Sequence, residues 1–217
     1  MKKILTVLAA AAIIATCAVS MTACSNAQPL KVKDIELTGE EYAFAIQKEN
    51  TELLNNVNTY IAEWEADGSL DALINSYFDG KATFSYTNAT AQPAEGDFVV
   101  ATNAYFPPFE SYNDNSAFVG VDIEIAYNIA QKLNKTLYVM DMDFDGIIPY
   151  IQSGKADIGM AGITKNPTRE EQVSFATGYY TSAQVITVLE SDTTFDACTS
   201  YDDVKAILDN KDKSYVI

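Results

Sequence analysis

Apolar residues along this chain follow two rhythms, and the switches between them lay out its elements. Residues 98–102 (FVVAT) are apolar throughout, as expected of a strand covered on both faces. Ile125, Ile129 and Leu133 then recur at helical spacing, which predicts an amphipathic helix over 121–133. The alternation continues with strands over 136–140, 156–161 and 184–189, helices over 146–152 and 200–209, and a helix opened by Asn166 and Pro167. Gly154 stops the helix over 146–152, residues 114–116 make a turn, and 214–217 begin another strand. Strands and helices in this order indicate an α/β chain with a mostly parallel sheet flanked by helices.

The region upstream has elements of its own. Residues 41–47 alternate as a strand. Leu53, Leu54, Val57, Ile61 and Trp64 mark one helix, and Leu70, Leu73, Ile74 and Tyr77 mark a second after a stop at Gly68. On this pattern Asn55 and Asn58 are structural and Trp64 is core. Residues 79–97, DGKATFSYTNATAQPAEGD, read as a polar linker. At the amino terminus, Lys2 and Lys3 precede an apolar run over 4–19 and small residues leading to Cys24. This is the make-up of a cleaved secretory leader; the run is short for a membrane-spanning helix.

Composition narrows the chemistry. With 48% hydrophobic residues the chain can bury a core, and a net charge of -16 without a basic patch excludes nucleic-acid binding. There is no histidine, so acid–base catalysis would fall to carboxylates or lysines. Asp122 and Glu124 are candidates of that kind, but both fall in the first turn of the 121–133 helix, where the dipole favours negative charge. Asp141, Asp143 and Asp145 alternate, yet no EF-hand glycine and distal glutamate follow at the required spacing. No metal is expected, and no cofactor.

The most informative stretch runs from Asp141 to Phe175 and ends at a helix start bearing Arg169, the only arginine in the chain. Parallel strands joined by helices present ligand sites where strand carboxyl ends meet helix starts, which places a site over 162–169. A guanidinium grips a carboxylate through two parallel hydrogen bonds, and Gly162 and Thr164 just upstream supply close backbone approach and a hydroxyl. The alternative is that Arg169 merely pairs with Glu170, Glu171 or another surface acid.

Three runs carry a family resemblance: ATNAYFPPFE from Ala101, FVGVDIEIAYNIAQKL from Phe118, and MDFDGIIPYIQSGKADIGMAGIT followed by PTREEQVSF and a Tyr-Tyr pair. In order and spacing they resemble the first lobe of the polar amino-acid-binding proteins of bacterial ABC importers, the extracellular solute-binding proteins, over about a hundred residues. The resemblance implies that Arg169 clamps the ligand α-carboxylate, that Thr164 assists it, and that Gly162 backbone helps to hold the α-amino end. It implies that Phe106 and Phe144 sandwich the ligand side chain, with Phe109 structural. Asn103 stands where the family often has an acidic residue; it can hydrogen-bond a polar ligand side chain, and a preference for a charged one is put in doubt.

The same resemblance gives an expected layout. Residues 1–23 are similar to a lipoprotein signal peptide, with Cys24 lipidated and 24–29 a tether; Met21 stands where the signal usually has leucine. Cys198 is then a free thiol. Residues 30–78 resemble the family's carboxy-terminal strand and helices, placed here at the amino terminus by circular permutation or left from a tandem pair. A linker over 79–97, a first lobe over 98–190 and an incomplete second lobe over 191–217 follow, in a periplasmic-binding-protein-like fold whose second lobe is largely missing. The implied protein is not an enzyme. It is a lipid-anchored receptor on the outer face of the cell membrane, or in the periplasm if there is an outer membrane, passing a free amino acid to ABC permease subunits. A ligand-sensing or other surface lipoprotein, or a dehydratase-like enzyme on the same fold, is the alternative.

Overall fold

The computed structural model describes residues 28–211. The leader, Cys24 and the strand expected over 214–217 lie outside them. Glu40–Ser182 forms one compact unit, and the described residues of Met1–Gly39 and Ala183–Ile217 form another.

The larger unit is built on a five-stranded sheet. In chain order its strands are β2 (Ala45–Ile46), β3 (Phe98–Thr102), β6 (Leu137–Asp141), β7 (Ile158–Gly159) and β8 (Ser174–Phe175). Their spatial order is β6-β3-β7-β2-β8. β3 pairs in parallel with β6, Val100 facing Val139, and with β7, Val100 facing Ile158. β2 runs antiparallel to both β7 and β8. The sheet is therefore mixed: four strands share a direction, and the upstream segment supplies the reversed one, set inside the sheet.

Period-two alternation sorts the strand residues onto two faces. Phe44, Ile46, Phe98 and Val100 join one core with Leu53, Val57 and Ile61 of α1 (Thr51–Asp67), Leu70 and Ile74 of α2 (Ser69–Phe78), and Ile125 and Ile129 of α3 (Val121–Lys132). Ala45 and Ala101 face a second core with Ile147 and Ile151 of α4 (Phe144–Gln152). Gly159 marks the close approach of β7 to α4, where a Cβ would lie 2.7 Å from Ile151. Gly68 ends α1 in the left-handed conformation at φ 78°, as its place after the apolar pattern predicts.

Several elements differ from the sequence expectation. The strand expected over 41–47 is broken between β1 (Leu30–Tyr42) and β2, and that over 156–161 narrows to Ile158–Gly159. The helix opened by Asn166 is the single turn α5 (Pro167–Glu170). The α4 helix starts two residues earlier than predicted, so Phe144 lies in its first turn instead of the preceding loop.

Residues 79–97, read as a polar linker, are packed against the sheet. They cover the outer edge of β6: the Asn88 amide donates to the Val139 carbonyl and accepts from the Val139 N–H, both at 2.8 Å. The Tyr86 hydroxyl donates to the Leu137 carbonyl, and the Tyr138 hydroxyl donates to the Ala91 carbonyl at 3.0 Å. An edge strand is thus satisfied largely by side chains.

In the smaller unit, β1 and β9 (Tyr180–Leu189) form a two-stranded sheet. Lys31 and Lys33 both reach Asp196, and Ser200 begins α6 (Tyr201–Asp209) with a capping box shared with Asp203.

Candidate functional site

The parallel strands β3, β6 and β7 end together, and the loops leaving them carry the candidate residues. The loop after β3 is pinned to the end of β6. The Asn103 amide donates to the Met142 carbonyl at 2.8 Å, and the Ala104 N–H donates to the Asp141 carboxylate at 2.8 Å. The Tyr112 hydroxyl, from the hairpin of β4 (Ser111–Tyr112) and β5 (Phe118–Val119), donates to the other Asp141 oxygen at 3.1 Å. Burial, and then the Asp141 charge, push the Tyr112 hydroxyl up to about 12. Backbone bonds between Phe106 and Glu110 close the loop tightly, leaving the Phe106 ring 42% exposed. That ring stacks on buried Phe109, with centroids 5.4 Å apart and planes 17° apart.

Gly162, after β7, lies against the same ring. Its φ is +51°, and a Cβ there would sit 2.8 Å from Phe106, so the backbone can rest on the aromatic face only as glycine. Two residues on, the Thr164 carbonyl accepts from Arg169 Nη1 at 2.8 Å. Asn166 caps α5 by accepting from the Arg169 N–H at 2.9 Å. The guanidinium lies 5.2 Å from the centre of the Phe144 ring, a cation–π arrangement. Among the described residues no carboxylate stands within ion-pair distance of Arg169; Lys165 takes Glu41 at 3.7 Å and Glu170 at 3.9 Å instead. Four of the five guanidinium N–H donors are left for an incoming acceptor.

The structure therefore brings Arg169, Thr164 and Phe144 into contact, and Gly162 and Phe106 into contact, with residues 162–164 joining the two groups. Asn103 touches neither, its amide being used on Met142. Phe106 and Phe144 make no ring contact with each other among the described residues; Phe144 faces Arg169. A depression of about 450 Å³ between α4 and α5 is lined by Phe144 and Arg169 but by none of the other four candidates. The loop surface, unlike that depression, lies at the carboxyl ends of the strands, where parallel sheets present their ligands.

Sequence reasoning missed two members of this region. Tyr42, at the end of β1, bridges Thr164 and sets its ring 6.2 Å from Phe106 and 5.2 Å from Phe109. Nothing in its local pattern distinguishes it from an ordinary strand residue. Asp122 does start the helix α3 as expected, but it is fully buried, accepting from the Gly162 N–H at 2.9 Å and from the Tyr179 hydroxyl at 2.5 Å. The signal was present: Asp122 heads the stripe continued by Ile125, Ala126 and Ile129, an apolar face by spacing. Glu110 is 1% exposed beside it. Burial, then the Asp122 charge, raise Glu110 well above the carboxylate range; burial also raises Asp122, against the lowering effect of its hydrogen-bond donors.

Residues 98–214 match the sequence profile of bacterial extracellular solute-binding proteins, family 3. The chain belongs to this family. Its larger unit has the family's periplasmic-binding-protein-like combination of mixed sheet and helices. Among relatives, the arginine-binding extracellular protein of Bacillus subtilis is 33% identical over 100 residues, 46% of this chain and 39% of that protein. The ABC transporter arginine-binding protein 1 of Escherichia coli is 34% identical over 84 residues, 39% of this chain and 35% of that protein. A solved ancestral arginine-binding protein bound to arginine is 46% identical over 36% of this chain and 34% of its own, with a TM-score of 0.35. The chain thus spans between 35% and 39% of the length of these two curated relatives.

Proposed function

We propose that this chain carries the carboxylate-gripping lobe of an extracellular amino-acid receptor serving an ABC importer. The observation that carries this reading is Arg169: a guanidinium steadied by the Thr164 carbonyl and the Phe144 ring, with no carboxylate partner among the described residues. An α-carboxylate is the complementary ligand group. In this reading Thr164 assists Arg169, Gly162 backbone receives the α-ammonium, Phe106 and Phe144 contact the side chain, and the Asn103 amide oxygen accepts from its polar end. Arginine-binding relatives make L-arginine the first ligand to test. Cys24 supplies the lipid anchor, permease subunits are the partners, and the location is the outer face of the cell membrane, or the periplasm where an outer membrane is present.

The reading extends to the layout. In this reading residues 30–78 are the family's carboxy-terminal strand and helices in permuted order, and the seat of β2 between β7 and β8 supports it. The α1 and α2 helices find their core on this same sheet, as a displaced native element would.

Titrating the chain with L-arginine, L-glutamine and L-glutamate by nuclear magnetic resonance tests the proposal. We expect saturable shifts confined to 103–106, 144 and 162–169, and at least about tenfold weaker binding in Arg169→Lys, which keeps charge but loses the paired donors. Unchanged affinity in Arg169→Lys, or no saturable shift with any common amino acid, would defeat it.

A further inference from the structure

Beneath Gly162 lies a buried acid pair that the reading above does not use. Asp122 is fully buried, with one oxygen accepting from Gly162 N–H at 2.9 Å and the other from Tyr179 at 2.5 Å. Glu110, 1% exposed, keeps its Oε2 without a hydrogen-bond partner among the described residues. No lysine or arginine among the described residues forms an ion pair with either acid. The groups facing Asp122 are Glu110 from the loop after β3, Tyr179 from the segment before β9, and Tyr42 of β1 beyond them. On its own helix, Glu124 is engaged by the Tyr77 hydroxyl at 2.7 Å.

Two buried carboxyls without a cation cannot both ionise, and the donors are arranged around Asp122, so Asp122 carries the charge and Glu110 the proton. Fold alone does not require this charge, since a neutral amide could fill the same volume. What the charge reaches is Gly162, whose N–H it holds at a φ of +51°. Among the described residues the Gly162 carbonyl accepts no hydrogen bond.

Resting on the amino-acid-receptor reading, we infer that Asp122 is a positioning residue for the ligand ammonium. Its carboxylate anchors the Gly162 N–H from below, so that the Gly162 carbonyl is presented to the ammonium above, and its uncompensated negative charge acts on that ammonium through a water-poor layer. Asparagine at this position can accept from Gly162 N–H through its Oδ1 and donate its NH₂ to the Tyr179 oxygen, so the substitution removes the charge while keeping both contacts.

The test compares L-arginine with its des-amino analogue, 5-guanidinopentanoate, in the full chain and in Asp122→Asn. The unmodified chain is expected to prefer L-arginine, and Asp122→Asn to lose about tenfold of that preference, the scale of one charge-assisted hydrogen bond, while its affinity for the analogue holds. A purely structural Asp122 would weaken both probes alike, and that outcome, or an unchanged preference, overturns the inference. Failure of the unmodified chain to bind L-arginine strikes at the receptor reading itself and removes this inference with it. Should Asp122→Asn not fold, the unmodified chain still decides. Its preference for L-arginine should fall between pH about 8 and about 4, with the Gly162 amide resonance moving at the same midpoint. A preference flat across that range overturns the inference.

Discussion

Glu110 shows how much one buried side chain can set the behaviour of the larger unit. It is lifted above the ordinary carboxylate range by burial first and by Asp122 second, so the folded chain keeps a proton that the unfolded chain releases. The folded state therefore binds more protons than the unfolded one. Its stabilising contribution is complete below the unfolded carboxylate range and is lost as pH rises toward the folded value. Glu110→Gln removes that dependence. We expect its urea-unfolding free energy to gain on the native chain by up to about 1.4 kcal/mol for each pH unit between about 5 and about 8. A difference independent of pH would show Glu110 to be ionised in the fold.

Legibility in the sequence also varied residue by residue. Arg169, Gly162 and Phe106 stand out in the sequence because each is unusual where it stands: a lone arginine, a glycine after an apolar run, a ring beside two prolines. Asp122 stands on an apolar stripe, and the helix dipole is a local explanation for it that ignores which face the stripe points to. Tyr42 could not have been found, because its place beside Phe106 depends on two distant segments meeting.

At the scale of elements, periodic patterns translated well and edges did not. The α1 helix, the α3 helix and β3 emerge where apolar spacing puts them, since burial on one face or on both is what the pattern records. Residues 79–97 escaped because their work is done by an asparagine amide and tyrosine hydroxyls, which leave no period. Asn88 replaces a neighbouring strand for Val139, giving one donor and one acceptor. Asn88→Ala leaves both backbone groups of Val139 short of a partner, and we expect a loss of about 1–3 kcal/mol in urea unfolding. A change under about 0.5 kcal/mol would mean that water replaces the amide freely.

For the whole molecule, the decisive fact is that the sheet draws its reversed strand from a segment lying ahead of the family match over 98–214. Without residues 40–78, β8 loses its only neighbour in the sheet, β7 keeps only β3, and the apolar faces of α3 and β3 lose Val57, Ile61 and Ile74. We expect a chain starting at residue 79 to show no cooperative unfolding transition, and a peptide of residues 40–78 added to it to restore one. Cooperative melting of the shortened chain alone would show that segment to be an accessory.

The placing of β2 also bears on biosynthesis. Ala45 must meet Gly159 and Phe175, so the first strand of the sheet to leave the ribosome is among the last to find its neighbours. Closing so long a loop is slow, and until Phe175 has emerged the nascent lobe holds an unfilled slot. A chain delayed in this way keeps an open sheet for longer than one whose strands pair in the order they are made.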